Sequence, residues 1–313
     1  MAQVVDVTGE LLKSVSRSFY LTIQFLPRQM RPAVALGYML ARATDSVADA
    51  FDTPQEVKLR ALQAMRCAID ADEDNEDLQA LHELLTQQVA PTIPCEAERV
   101  LLGEFCTCLS ALRVFPEQQR MLVRKVLGTI IEGQVWDLTA FDACDTVQTD
   151  DDTRRYTYMV AGCVGAFWTE LGYATMGEAF CQASRKDLML QAGVRYGQGL
   201  QLINILRDRE EDARRGRHYL CSDATKWLRR AESYMNDGVD YSRRLGTFRL
   251  RFASVLPALI GKRTLRLLAD TPLGQGKVKI RRRAVYGALL QAVGLCLWRK
   301  RRVLAYSEQK SQK

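Results

Sequence analysis

Apolar residues recur along this chain at the three-to-four-residue spacing of helices, and no stretch alternates as a half-buried strand would. The first helix is predicted over about 8–20, with Thr8 as its N-cap. A mostly apolar helix follows Pro32 and runs to about Phe51, and Pro54 opens a charged amphipathic helix that reaches about Ala71. Helices over 75–89, 95–113 and 117–141 come next, and another begins near Asp150. Ser222 is placed to cap a helix of charged periodicity, and 247–269 forms one that Pro257 should kink or restart. An apolar run from Ala284 to Trp298 closes the pattern. Of eight prolines, none falls between Glu117 and Leu256, which fits long helices joined by short loops. No low-complexity linker marks a boundary. The pattern predicts one all-α domain over residues 1–306 and a disordered tail over 307–313.

Two helices carry charge where the pattern asks for burial. In 191–220, Leu200, Leu202, Ile203, Ile205 and Leu206 point nearly all round the helical wheel and leave no face for water. The same helix holds Gln201, Asn204, Arg207, Asp208, Glu211 and Asp212. Asp208 and Asp212 fall on one face, a turn apart. Two such charges about 6 Å apart repel by roughly 3 kcal/mol at an effective dielectric of about 20. Arg207, Arg209, Arg214 and Arg215 offset part of that, and a divalent cation would offset more. Taken alone, the stretch reads equally as a solvated helix end with ion pairs. The device occurs twice, though, because 34–50 is another mostly apolar helix and carries Arg42, Asp45 and Asp49. Paired carboxylates on two helices suit Mg²⁺-diphosphate. Mg²⁺ takes one or two carboxylates and fills its other positions with water and phosphate oxygens.

Composition narrows the classes. A net charge of +7, with acids and bases interspersed except at the C-terminus, argues against a partner nucleic acid and leaves anionic substrates or anionic lipid. A hydrophobic fraction of 47% supplies a substantial core. Nine scattered cysteines without a CxxC pair read as reduced thiols, mostly buried. With His82 and His218 as the two histidines, a His-based zinc site or a Ser-His-Asp triad has little to build on. The N-terminus lacks the basic start and long apolar run of a signal peptide, so the expected compartment is the cytoplasm. Trp136 reads as core. Gly162 and Gly165 each weaken their helix by roughly 1 kcal/mol relative to Ala, which points to close approach of another backbone or a ligand. Tyr156 is either a core tyrosine or a hydroxyl presented to a cavity. Arg17 is either a surface charge or a phosphate clamp.

SRSF at 16–19, YMLARATDSVAD at 38–49, YTYMVAG at 156–162 and QLINILRDREEDARRGRHYL at 201–220 stand in this order. Together, from about Ser16 to Arg281, the chain resembles the head-to-head trans-isoprenyl diphosphate synthases, the squalene and phytoene synthases. The resemblance implies an all-α isoprenoid synthase fold, a single helical domain around a central active-site cavity. It implies Mg²⁺ on Asp45 and Asp49, which match the first aspartate-rich motif, and on Asp208, Glu211 and Asp212, which match the second. Arg17, Tyr38, Arg42 and Arg217 match positions that bind or help expel diphosphate. Tyr156 matches a tyrosine that assists proton removal or leaving-group departure. Gln201, Asn204 and Arg207 match polar residues lining the second motif, the first two toward diphosphate and the last two toward cofactor. Cys221 follows Tyr219-Leu220 where the family usually has Pro, and Ala43-Thr44 replace commoner residues.

Within that family, KVKIRRRAV at 277–285 resembles the segment of squalene synthases that contacts NADPH phosphates, with Lys279 and Arg281 in those roles. Phe252, in FASVLP, resembles the segment in which an aromatic shields the second cation. The resemblance thus implies squalene synthase, with farnesyl diphosphate as substrate and Mg²⁺ and NADPH as cofactors. Phytoene or dehydrosqualene synthase, which omit the hydride step, and a non-catalytic scaffold relative are the alternatives. The basic residues of 277–285 read otherwise as a solvated or lipid-facing patch. The 15 residues from Ala284 to Trp298 are short for a membrane span, which needs about 20. Flanked by basic runs, they form either a core helix or one that docks on anionic lipid, at the inner face of a membrane.

Overall fold

A computed structural model describes residues 2–16, 18–72, 77–141, 144–270 and 282–310. The chain is all-α: among the described residues the only extended pairing is an isolated bridge between Thr146 and His218. It forms two compact units, residues 1–145 with 170–175, and residues 146–169 with 176–313.

The first unit holds α1 (Ala2–Ser16), α2 (Ser18–Phe25), α3 (Arg31–Ala48), α4 (Gln55–Asp70), α5 (Asp77–Glu83), α6 (Glu96–Gly103), α7 (Phe105–Arg113) and α8 (Glu117–Thr139). Thr8 lies inside α1 rather than at its start, so the expected cap does not form. Proline starts two of these helices as expected, with Pro32 in the first turn of α3 and Pro54 the N-cap of α4, and Pro116 likewise is the N-cap of α8. The helix expected over 75–89 changes to a π-helical turn at Leu84–Val89, and the one over 95–113 breaks at Glu104. α3 packs on α8 and α4, burying Met39, Leu40, Leu62 and Met65 completely. Trp136 on α8 is half-buried rather than core, its ring meeting Phe141 edge-on at 6.2 Å.

The second unit is built from α9 (Asp150–Thr157), a π-helical turn at Tyr158–Gly162, α10 (Cys163–Met176) apart from its residues 170–175, α11 (Lys186–Arg214), α12 (Ala224–Arg244), α13 (Phe248–Asp270) and α14 (Arg282–Lys310). α9 starts from a capping box. Thr149 Oγ1 accepts from the Asp152 N–H at 3.2 Å, and the Asp152 carboxylate accepts from the Thr149 N–H at 2.9 Å. α12 is capped by Asp223, not Ser222, because Ser222 Oγ accepts the Trp227 indole N–H at 3.0 Å instead. α13 runs through Pro257 as one continuous helix, so of the kink or restart expected there the restart does not occur. α14 extends to Lys310, into the stretch expected as a tail.

α11 is the centre of this unit, packed on α12, α13 and the 158–162 turn. Glycines permit the close approach of α11 to this turn and to the start of α10. A Cβ on Gly165 would stand 1.9 Å from the Gly193 carbonyl oxygen, and one on Gly197 2.2 Å from that of Ala161. The close approach expected at Gly165 is therefore to another backbone. Leu202, Ile203 and Ile205 are buried, but Asn204 is exposed, so α11 keeps one polar face open. All nine cysteines are free, and four of them, Cys108, Cys163, Cys181 and Cys296, are buried, fewer than expected. Among the described residues no helix is long and apolar enough to cross a membrane.

Candidate active site

In the first unit, Tyr38, Arg42, Asp45 and Asp49 follow one another at helical spacing along one side of α3 and its C-cap. Each is held from outside the helix or by its end. Tyr38 donates to the Val15 carbonyl at 3.4 Å, and its ring lies 5.1 Å from that of Phe19. Arg42 Nη2 meets Glu98 Oε1 at 2.5 Å, and the other Glu98 oxygen accepts from Ser46 Oγ at 3.1 Å. Asp45 Oδ1 accepts from Gln134 Nε2 at 2.5 Å, and the same amide reaches Thr44 Oγ1 at 3.1 Å. The Asp49 N–H closes the helix on the Asp45 carbonyl at 2.8 Å.

The electrostatics of α3 ask for a cation. Burial, and then the neighbouring Asp49 charge, push the Asp45 carboxyl up to about 7, against the pull of Gln134 and Arg42. Burial also raises the Tyr38 phenol. Among the described residues no three His, Cys, Asp or Glu side chains cluster as a metal cage would. An all-oxygen pair one turn apart, with the remaining positions left to water and phosphate, fits Mg²⁺ and does not fit a structural zinc site.

In the second unit the polar face of α11 carries Gln201, Asn204, Asp208, Glu211 and Asp212. Asn204 donates to Gln201 Oε1 at 3.2 Å. Arg207 grips Asp208 with two bonds, Nε to Oδ1 at 3.0 Å and Nη2 to Oδ2 at 2.5 Å, and is held above its ordinary pKa by them. Arg215 pairs with Glu211 at 2.9 Å. The helix then turns at Gly216, whose φ of +71° favours glycine, and the Arg217 N–H returns to the Asp212 carbonyl at 2.9 Å. Of the four arginines expected to offset these acids, Arg207 and Arg215 pair with them, and Arg214 donates to the Glu210 carbonyl at 3.2 Å.

The segment after Arg217 is pinned to the start of α9. The His218 carbonyl accepts from the Val147 N–H at 3.0 Å, and Thr153 Oγ1 donates to the Tyr219 carbonyl at 2.7 Å. This sets the Tyr219 ring on Tyr156, stacked at 4.9 Å with both rings buried. Asp150 accepts from Ser222 Oγ at 2.7 Å and pairs with Lys226, which pushes its carboxyl down to about 2. On α13, Phe252 is half-buried and stacks with Phe248 at 6.1 Å.

Arg17, Lys279 and Arg281 lie outside the described residues. The structure adds Glu98, Gln134, Asp150 and Tyr219 to the residues picked from sequence. Gln134 had a signal, a polar side chain at a core-facing position among Ile130, Ile131 and Leu138. Glu98 had none, since an acid in the first turn of a charged helix is ordinary. A crevice of about 520 Å³ between α4 and α5 is lined by Arg60, Cys67, Asp77 and Glu83 among others, and none of the candidate residues borders it.

Residues 12–227 match the family model described as squalene/phytoene synthase. The chain is 29% identical over 222 residues to a bifunctional lycopene cyclase/phytoene synthase of Phaeosphaeria nodorum, covering 69% of this chain and 33% of that protein. It is 27% identical over 216 residues to a squalene synthase of Schizosaccharomyces pombe, covering 67% of this chain and 42% of that one. The matched region therefore spans less than half the length of these relatives. A solved complex of TcSQS with a ligand superposes with a TM-score of 0.74 at 22% identity, over 95% of this chain and 89% of that one, and shares its all-α fold.

Proposed function

The chain belongs to the squalene/phytoene synthase family, and on that premise we propose that it joins two farnesyl diphosphates head-to-head to presqualene diphosphate and reduces this with NADPH to squalene. Membership makes it an enzyme of the prenyltransferase-type synthase kind. The observation that best supports the head-to-head coupling of diphosphates is the carboxylate pair on α3, held by Gln134 and flanked by an arginine that Glu98 keeps in place. α11 carries the same kind of device in its own unit.

The reaction needs stabilisation of a leaving diphosphate and protection of an allylic cation. Arg42, Arg217 and Arg17 offer guanidinium donors to the diphosphate oxygens, with Tyr38, Gln201 and Asn204 as neutral donors. Mg²⁺ held by Asp45 and Asp49, and by Asp208, Glu211 and Asp212, would supply Lewis-acid neutralisation of the same charge. Tyr156, oriented by its stack on Tyr219, is the hydroxyl for proton movement. The Phe248–Phe252 pair presents aromatic faces, which attract a cation without trapping it as a nucleophile would. Lys279 and Arg281, with Asn204 and Arg207, are the proposed NADPH contacts.

The rival within the family is a phytoene or dehydrosqualene synthase, because the chain is about as similar to a phytoene synthase-containing relative as to a squalene synthase. A non-catalytic scaffold would not need both carboxylate pairs. Product analysis with farnesyl diphosphate and Mg²⁺, with and without NADPH, separates the three. Squalene formed only with NADPH is the expected result. Dehydrosqualene in both reactions, or turnover of geranylgeranyl diphosphate alone, moves the protein to the non-reducing branch. No turnover of either substrate leaves the scaffold.

A further inference from the structure

α14 has two faces of opposite character. The inner one is small: Ala288, Ala292 and Cys296 are at most 2% exposed where the helix packs on α13. Arg263 of α13 straps it down, with Nη1 donating to the Ala284 carbonyl at 2.6 Å and Nη2 to Gln291 Oε1 at 3.2 Å. Those bonds fix the rotation of α14 about its own axis. The outer face is large and apolar. Tyr286, Leu290, Val293 and Leu297 are 62%, 76%, 37% and 50% exposed. Steps of four, three and four residues keep them on one line about 16 Å long. One exposed leucine is ordinary, but an aligned row of four is a contact surface.

Charge says what covers it. Every charged residue between Asp270 and Glu308 is basic. Arg283 is exposed at one end of the row, and the sequence continues Arg299-Lys300-Arg301-Arg302 beyond the other. An apolar line with cations at both ends and no acid on its own helix before Glu308, the neighbouring Asp240 being paired with Arg243, complements a surface that is anionic outside and apolar beneath. A second copy complements it less well, because parallel and antiparallel pairing of α14 on itself both set basic ends against basic ends. We propose that the Tyr286–Leu297 face of α14 docks this protein, lying in the plane of the interface, on an anionic lipid bilayer.

This stands independently of the reaction above, and vesicle sedimentation of the full chain tests it. The expected result is at least about tenfold tighter binding to vesicles with about a third phosphatidylglycerol than to pure phosphatidylcholine, lost about tenfold in Leu290→Glu/Leu297→Glu. Val114→Glu, at an exposed apolar residue of the other unit, should bind as the wild type does. Equal binding by all three proteins, or none to the anionic vesicles, overturns the proposal. So does light scattering that shows a wild-type dimer split by the double substitution, which would make the face a contact between copies. Should the double variant misfold, Leu290→Trp decides: brominated lipid should quench its added fluorescence, and an unquenched indole overturns the docking face.

Discussion

Asp45 depends on a side chain 89 positions away, the Gln134 amide that donates to it at 2.5 Å. Leucine at 134 keeps most of the volume and removes the donor. Gln134→Leu should lower kcat/KM for farnesyl diphosphate about tenfold or more, as expected for a lost hydrogen bond to a charged group. It should also raise the Mg²⁺ concentration for half-maximal rate. Steady-state diphosphate release checks both, and an unchanged Mg²⁺ dependence would remove Gln134 from the site. Asp150 makes a prediction of another kind. Its carboxyl is depressed to about 2, first by the Lys226 hydrogen bond and then by Ser222. A depressed carboxylate stabilises the fold above its unfolded pKa of about 3.9, and that contribution is lost as pH falls toward about 2. Thermal midpoints between those values should fall less steeply in Asp150→Asn than in the wild type, while near neutral pH the variant is the less stable of the two.

At the scale of elements, the 158–165 stretch and α11 meet through backbone. Gly165→Ala forces a Cβ to 1.9 Å from the Gly193 carbonyl, and neither backbone has a flexible atom to move aside. The expected cost is about 1–3 kcal/mol, read from denaturant midpoints. Val164→Ala, one residue away and 39% exposed, should cost far less. These same elements show what periodicity can and cannot tell. The glycine signal at 165 was legible, because a glycine within a helix needs a reason. The open face of α11 was not. Five apolar residues around a wheel suggested burial on all sides, but the neighbouring elements cover Leu202, Ile203 and Ile205 and leave Asn204 exposed. Ser222 misled for a related reason. A hydroxyl caps a helix only if nothing else claims it, and Ser222 is taken by Trp227 and Asp150.

For the whole molecule, each of the two units carries its own carboxylate pair, and the proposed reaction needs both. Asp45→Asn and Asp208→Asn should each abolish diphosphate release with helical content unchanged by circular dichroism. The double variant should be no worse than either single one, since residues that act as a unit do not add. Full activity in either single variant would sink the Mg²⁺ assignment.

Helices, their approximate order and the placement of Asp45 with Asp49 and of Asp208 with Asp212 on single faces were all set by the sequence alone. Those are consequences of a 3.6-residue period, which is local and readable without a partner. Tertiary structure decided what each charged group meets: Glu98 on Arg42 across 56 positions, Gln134 on Asp45, Tyr219 on Tyr156. It also decided that the large side chains of α14 face outward while its alanines face in. Such pairings depend on how distant helices pack, and local periodicity carries no record of which face a distant helix will cover.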